Sequence, residues 1–156
     1  NPWKELTEEE LVKATGRTFR LPAEAQNVHY SYMESEGIVE AVFEWEALDF
    51  TVRRKQESGF EDISGMYYDW VIQNDVKIGT FVGKEFTAFS EQKTVKVCMW
   101  YDTEEELMYS LSVMAADLNG FDIRALAERL SGLDSGEEST TEQGEETEIV
   151  AESGIQ

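Results

Sequence analysis

The chain has 156 residues, and its 33 acidic side chains against 13 lysines and arginines give a net charge of −20. Because this charge repels phosphate backbones and anionic lipid surfaces, we expect no nucleic-acid partner and no direct membrane insertion. The longest run free of charged residues, residues 107–116, is too short to cross a bilayer, and a single cysteine excludes an internal disulfide framework.

The first predicted element is a helix between Thr7 and Gly16. In "LTEEELVKATG", Thr7 and Glu10 have the spacing of a capping box, and Leu6 and Leu11 stand where a hydrophobic staple closes over a helix start. Gly16 is a typical helix stop. Three glutamates fall in the first turn, where the helix dipole favours negative charge, so we interpret them as structural rather than as a cation site.

After this helix the hydrophobic period changes to two, which predicts strands. Residues 28–34, the run "IVEAVFEWEA" and the run "LDFTVRRK" alternate in this way, so we expect three adjacent antiparallel strands. Arg53 and Arg54 are then placed to pair across strands with Glu40 or Glu44. The dry face predicted for the second and third strands carries Val39, Ala41, Phe43, Trp45, Leu48, Phe50 and Val52.

The middle of the chain has a weaker pattern. Residues 56–70 contain two glycines and show no period, which predicts an ordered loop leading into a strand. Further strands are predicted at about residues 70–73, 76–81, 85–89 and 95–101, with Gly79 and Gly83 marking a bend or bulge. Residues 104–116 fit a helix capped at Thr103 or an alternating strand. We favour the strand, with "YDTEEE" as a hairpin loop, because Tyr, Ser and Val are poorer helix formers.

The last predicted element is an amphipathic helix in "NGFDIRALAERL", capped by Asn119 or Asp122. Its apolar stripe, suited to packing on a sheet, is Phe121, Ile123, Leu126, Ala127 and Leu130. Residues 131–156 hold eight acids, no base and no aromatic residue, which predicts a disordered acidic tail and leaves residues 1–130 with a net charge of −12. We expect residues 1–130 to form one α+β domain: a curved antiparallel meander of about seven or eight strands packed on the C-terminal helix, with a short N-terminal helix at an edge.

The residues that carry most metal and enzyme chemistry are scarce. With one histidine, His29, and one cysteine, Cys98, a zinc site built from several such ligands is excluded. We interpret His29 as a surface residue and Cys98 as a small buried hydrophobe. Asp102, Glu104 and Glu106 offer oxygens at alternate positions, but the glycine and ligand ladder of a calcium loop are missing. Neither a phosphate-binding glycine loop nor a nucleophile elbow is present, so we predict no catalysis, no metal and no cofactor.

Aromatic density is the one feature above background. The stretches "MYYDW" and "MWYD" place aromatic residues beside an aspartate. Such side chains recur at ligand surfaces because they bury much area at small entropic cost, although core packing is their more common role. If both stretches reach the same rim of the sheet, they form a shallow binding site. Its candidate ligand-binding residues are Tyr67, Tyr68, Asp69, Trp70, Trp100, Tyr101 and Asp102.

Three stretches together resemble a family of exported bacterial domains: "NPWKELTEEELVKATGRTFRLPAEAQNVHYSY", "GIVEAVFEWEALDFTVRR" and "ISGMYYDW". They are similar to the domain-of-unknown-function family numbered 4367, in which a short helix and a proline-containing segment precede strands ending in an Arg-bearing "TVR" strand. The resemblance covers residues 1 to about 130. It implies an extracytoplasmic, often lipoprotein-linked setting and a sheet-on-helix fold, and it brings no catalytic residues. The chain begins at Asn1 without Met, as expected if an export signal has been removed or if the sequence is a trimmed fragment.

We therefore predict a non-catalytic exported or cell-envelope binding or sensing module, monomeric, that takes an unknown protein or small-molecule ligand at the aromatic residues. The alternative is an acidic interaction protein that presents carboxylates to a basic partner or mimics a polyanion. A hydrolase is the third hypothesis, because paired carboxylates carry little information in a chain with 33 acids.

Overall fold

The computed structural model describes residues 1–132. Within them, eight strands form one antiparallel sheet flanked by two helices, which confirms the predicted α+β architecture. The predicted acidic tail lies outside the described residues from residue 133 onward. The elements in chain order are β1 (Lys4–Leu6), α1 (Glu8–Thr15), β2 (Gln26–Met33), β3 (Ile38–Trp45), β4 (Leu48–Gln56), β5 (Ile72–Ile78), β6 (Phe81–Ser90), β7 (Lys93–Asp102), β8 (Leu107–Ala115) and α2 (Ile123–Ser131).

The sheet consists of two meanders joined in the middle. Its strand order is β1-β2-β3-β4-β8-β7-β6-β5, so consecutive strands are neighbours within β1 to β4 and within β5 to β8. The halves meet where β4 pairs with β8, with Val52 opposite Leu111. Residues 57–71 therefore carry the chain from the centre of the sheet to its far edge, β5.

Helix α1 has the predicted termini. The Glu10 N–H donates to Thr7 Oγ1 at 3.1 Å, and the Thr7 N–H donates to Glu10 Oε1 at 2.9 Å, which completes the capping box. Gly16 ends the helix with a φ of 87°, and its N–H donates to Val12 O at 2.7 Å. Leu11 is fully buried, and Leu6 packs against the same core, as expected for a hydrophobic staple.

The strand boundaries differ from the prediction at the N-terminus and around β5. The sequence does not predict β1, because three residues are too few to show alternation, yet Lys4 pairs with Tyr32 of β2. The strand predicted over residues 76–81 is interrupted by a turn at Gly79, whose φ of 61° a glycine adopts at no steric cost. As a result β5 ends at Ile78, and Phe81 opens β6. The separate strands predicted at about residues 70–73 and 76–81 are wrong, because β5 runs unbroken from Ile72 to Ile78.

The strand interpretation of residues 104–116 is confirmed. β8 pairs with β4 on one side and β7 on the other, so its backbone groups lie in the middle of the sheet. Ser110 and Ser112 are buried although they are polar, because the sheet is covered on both sides here.

The main hydrophobic core lies between the helices and one side of the sheet, which we call the helix-facing side. The strands contribute Phe50, Trp100 and Leu111, each at most 1% exposed. α2 begins at Asp122, whose Oδ1 accepts hydrogen bonds from the Arg124 and Ala125 N–H groups at 3.0 and 3.3 Å. The predicted stripe is buried at Ile123, Leu126, Ala127 and Leu130, and Phe121 is half-buried beside it.

The opposite side of the sheet, which we call the loop-facing side, carries a second apolar cluster. Residues 57–71 cross this side and bury Ile63 in the cluster. Because neighbouring residues of a strand point to opposite sides, β7 supplies both clusters. The buried members from the strands on the loop-facing side are Val95, Val97, Met99, Tyr101 and Met108.

Candidate functional site

The two predicted aromatic stretches do not form one rim. Trp100 is fully buried on the helix-facing side, where its ring stacks on Tyr109 with centroids 5.0 Å apart and planes 3° from parallel. Its Nε1 is a buried donor without a hydrogen-bond partner among the described residues. Trp100 therefore belongs to the core and offers no surface to a ligand.

Tyr101 and Asp102 are engaged within the fold. The Tyr101 hydroxyl donates to Glu57 O at 2.7 Å, which ties β7 to the start of residues 57–71. Asp102 Oδ1 accepts from the Glu104 and Glu105 N–H groups, both at 2.9 Å, so this carboxylate organises the hairpin turn. The Tyr101 hydroxyl and the Asp102 carboxylate therefore stabilise the fold itself, the first at residues 57–71 and the second at the hairpin turn.

The other stretch lies at the surface of the loop-facing side. Trp70 is half-buried between two rings, with centroid distances of 5.7 Å to Tyr68 and 5.4 Å to Phe86 of β6. Tyr67 has no comparable packing, and its side chain is 91% exposed. Tyr68 and Trp70 share their cluster with Tyr101, which links these members of the two stretches through the interior.

These residues line a surface depression of about 530 Å³. The loop that forms it is held by hydrogen bonds from backbone N–H groups to side-chain oxygens. The Ser64 N–H donates to Asp62 Oδ1 at 2.9 Å, and the Met66 N–H donates to Ser64 Oγ at 3.1 Å. Arg53 Nη1 donates to Ile63 O at 3.2 Å, so the loop is also attached to β4. The lining residues are Asp62, Met66, Tyr67, Tyr68, Asp69 and Trp70.

Charged groups hold the start of the same loop. Lys55 Nζ lies 2.7 Å from Glu57 Oε2 and 3.5 Å from Glu61 Oε2. The hydrogen bond from Lys55 lowers the pKa of the Glu57 carboxyl, whereas hydrogen bonding with Glu57 raises the pKa of the Glu61 carboxyl. The two carboxyls therefore share one ammonium at the edge of the loop-facing side.

Arg53 and Arg54 were both predicted to pair across strands with Glu40 or Glu44, and only Arg53 does so. Arg53 Nε donates to Glu40 Oε1 at 3.0 Å, as predicted. Arg54 points to the helix-facing side, is only 3% exposed, and lies over the Phe19 ring at 4.6 Å from its centroid. Burial lowers its guanidinium pKa. The sequence pattern could have shown this, because residues two apart in a strand point to the same side, and Arg54 follows Phe50 and Val52 at that spacing.

The remaining chemically active residues have local roles. His29 Nδ1 lies 3.0 Å from Glu5 Oε2 at the exposed β1–β2 edge. Burial raises the pKa of the Cys98 thiol to about 12, which leaves it protonated at neutral pH. In residues 1–132, no group of three or more His, Cys, Asp or Glu side chains could hold a metal ion. No helix in that part of the chain is long and apolar enough to cross a membrane.

No family model matches the chain, and comparisons with curated proteins and with solved structures find no match either.

Proposed function

We propose that the chain is a non-catalytic binding module whose ligand surface consists of Tyr67, Tyr68 and Trp70, which we call the aromatic surface. The observation that carries this proposal is the 91% exposure of Tyr67 beside two half-buried rings. An exposed tyrosine gains little from folding, whereas it gains much when a ligand covers it.

The support around Tyr67 favours binding. Tyr68 and Trp70 are already ordered by stacking, and Ile63 anchors their loop in the second cluster, so a ligand pays little conformational entropy at these positions. Asp62 and Asp69 lie at the same depression and offer acceptors to donor groups of the ligand. The fitting ligand is a small molecule or a protein segment with a flat apolar face and hydrogen-bond donors at its edge.

The test is a comparison of two exposed aromatic residues. Labelled wild-type chain, Tyr67→Ala and Phe89→Ala are applied at equal concentration to one immobilised panel of oligosaccharides and short peptides. Phe89 is the matched control, because it is 61% exposed and points to the side of β6 opposite Phe86. We expect at least about tenfold weaker capture for Tyr67→Ala, the usual effect at an aromatic hot spot, and unchanged capture for Phe89→Ala. Equal losses in the two variants would refute the aromatic surface.

A second candidate is an acidic surface that binds a basic protein. It is favoured by a depression of about 470 Å³ around Trp45, which is lined by Glu24, Glu44, Glu46 and Asp49. Salt separates the candidates: capture through these carboxylates falls steeply as NaCl is added, whereas capture through the aromatic surface changes little. In Glu44→Gln combined with Asp49→Asn, capture is lost only in the acidic case.

We further propose an extracytoplasmic setting for a monomer, on the basis of the resemblance to family 4367. Full-length protein found in the cytoplasmic fraction of the source cells would contradict that setting. Hydrolysis is the third hypothesis, and turnover on a panel of ester, glycoside and peptide substrates that one carboxylate substitution abolishes would replace the binding proposal with it.

A further inference from the structure

Arg54 is a buried cation whose charge no carboxylate of residues 1–132 balances within ion-pair distance. Its guanidinium donates to neutral oxygens: Thr18 O at 2.8 Å, and Thr15 Oγ1 and Arg17 O, both at 3.0 Å. Tyr109 is a further hydrogen-bonding neighbour, and it partly offsets the lowering of the Arg54 pKa by burial. These bonds replace lost water contacts, but they leave the net charge in a poorly hydrated place.

Two neighbouring cations already have counter-charges. Arg17 Nη2 lies 2.7 Å from Glu105 Oε1, and this hydrogen bond raises the pKa of Arg17. Lys55 has Glu57 as its partner at 2.7 Å. The charge of Arg17 adds to the burial that lowers the pKa of Arg54. Of the three cations, Arg54 is thus the one whose charge an added anion would stabilise most.

A cavity of about 320 Å³ borders Arg54 on the helix-facing side, between the end of α1, the β2–β3 turn and the start of β8. This volume falls within the range of small-molecule sites. Tyr32 and Gln56, whose side chains carry hydrogen-bond donors, also line it. The other lining residues are Ala14, Thr15, Arg17, Glu36, Gly37, Val39, Lys55 and Leu107.

We propose that this cavity binds the carboxylate of a small organic monoanion and that the bound charge pairs with Arg54. A carboxylate has two oxygens, which allows one to approach the guanidinium and the other to accept from Tyr32 or Gln56. A phosphate dianion fits less well, because one unbalanced cation faces it and Glu36 lies in the same wall. The cavity and the aromatic surface have no lining residue in common, so each proposal stands or falls alone.

The ligand test uses amide chemical shifts of the full chain at fixed ionic strength. The probes are benzoate and acetyl-trialanine, which represent a free organic acid and a peptide C-terminus, and the controls are benzamide and acetyl-trialanine amide. We expect saturable shifts at Gly37, Gln56 and Leu107 with at least one carboxylate and none with its neutral amide. If benzoate binds more tightly, the natural ligand is a free organic acid, and if acetyl-trialanine binds more tightly, it is a peptide C-terminus. Equal shifts with the amides, no shifts at these residues, or tighter binding of inorganic phosphate would each overturn the proposal.

A charge placed at the cavity wall gives the second test. Replacement of Arg54 removes its bonds to the last residue of α1 and to the segment that follows it, and can unfold the chain. The decisive variants are therefore at Ala14, an exposed helix residue of the lining. Ala14→Glu introduces a negative charge, and Ala14→Gln has the same shape without it. We expect carboxylate affinity to fall roughly tenfold in Ala14→Glu and to stay within about twofold of wild type in Ala14→Gln. Equal affinities in both variants would overturn the role of charge.

Discussion

Gly83 of β6 lies where two strands approach too closely for any side chain. It pairs with Val76 of β5 and with Trp100 of β7. A Cβ added at Gly83 would lie 2.7 Å from Met99 O, and 3.3 Å from Ile78 Cγ1 and from Val76 Cγ2. The two side-chain carbons can yield by a few tenths of an ångström. Met99 O belongs to the backbone of β7, so it moves only if the strand moves.

We therefore expect Gly83→Ala to lower the free energy of unfolding by about 2 kcal/mol, the middle of the range for overpacked sites. The figure includes a small opposing gain, since alanine restricts the unfolded chain more than glycine does. Gly59→Ala is the matched control, because its added Cβ has no atom within 4 Å. That variant should lie between wild type and about 1 kcal/mol more stable.

Urea unfolding followed by tryptophan fluorescence measures both variants. Gly83→Ala should lower the midpoint while the slope of free energy against urea is unchanged, since the surface exposed on unfolding is the same. If Gly83→Ala were as stable as Gly59→Ala, the close approach of β6 and β7, and with it the register Gly83 to Trp100, would be refuted.

Three further predictions concern the start of α1, the buried thiol and the loop of residues 57–71. Thr7→Ala removes the side-chain acceptor of the capping box and should cost about 1 kcal/mol in urea unfolding, against no loss for Thr103→Ala, which caps no helix. Cys98 should not react with Ellman's reagent at pH 8 until urea unfolds the chain; because burial raises its pKa from 9.0 to about 12, its contribution to stability is complete below pH 9 and is lost as the pH rises toward 12. Trp70→Ala removes the ring between Tyr68 and Phe86, so hydrogen exchange should accelerate in residues 57–71 and stay unchanged in α2, whereas uniform acceleration would show that the loop is not a separate unit.

Local sequence patterns were sufficient to predict most of the helices and strands. The capping box at Thr7 and Glu10, the stripe around Leu126 and the alternation of β3 and β4 each report a chemical requirement of one segment, so they can be read along the chain. The pairing of β4 with β8 depends on residues far apart in sequence, and no local period encodes it. Gly79 was predicted to mark a bend or bulge, but a single glycine does not show whether the strand continues through it, so the strand predicted over residues 76–81 was drawn across the turn.

The candidate site was predicted less well than the fold, because the sides of the sheet to which its residues point were not considered. A strand over residues 95–101 already implies that Trp100 and Tyr101 point to opposite sides, so "MWYD" could not present both rings to one ligand. The same parity places Arg54 with Phe50 and Val52 in the core. Which of the loop residues 67–70 is exposed does not follow from sequence, because it depends on how residues 57–71 pack on β6 and β7.

The ratio of ligand capture by Tyr67→Ala to capture by Phe89→Ala tests the aromatic surface most directly, because both substitutions remove an exposed ring at little cost in stability. The account predicts a ratio of about one tenth or less on the bound members of the panel. A ratio near one would place ligand binding elsewhere on the chain.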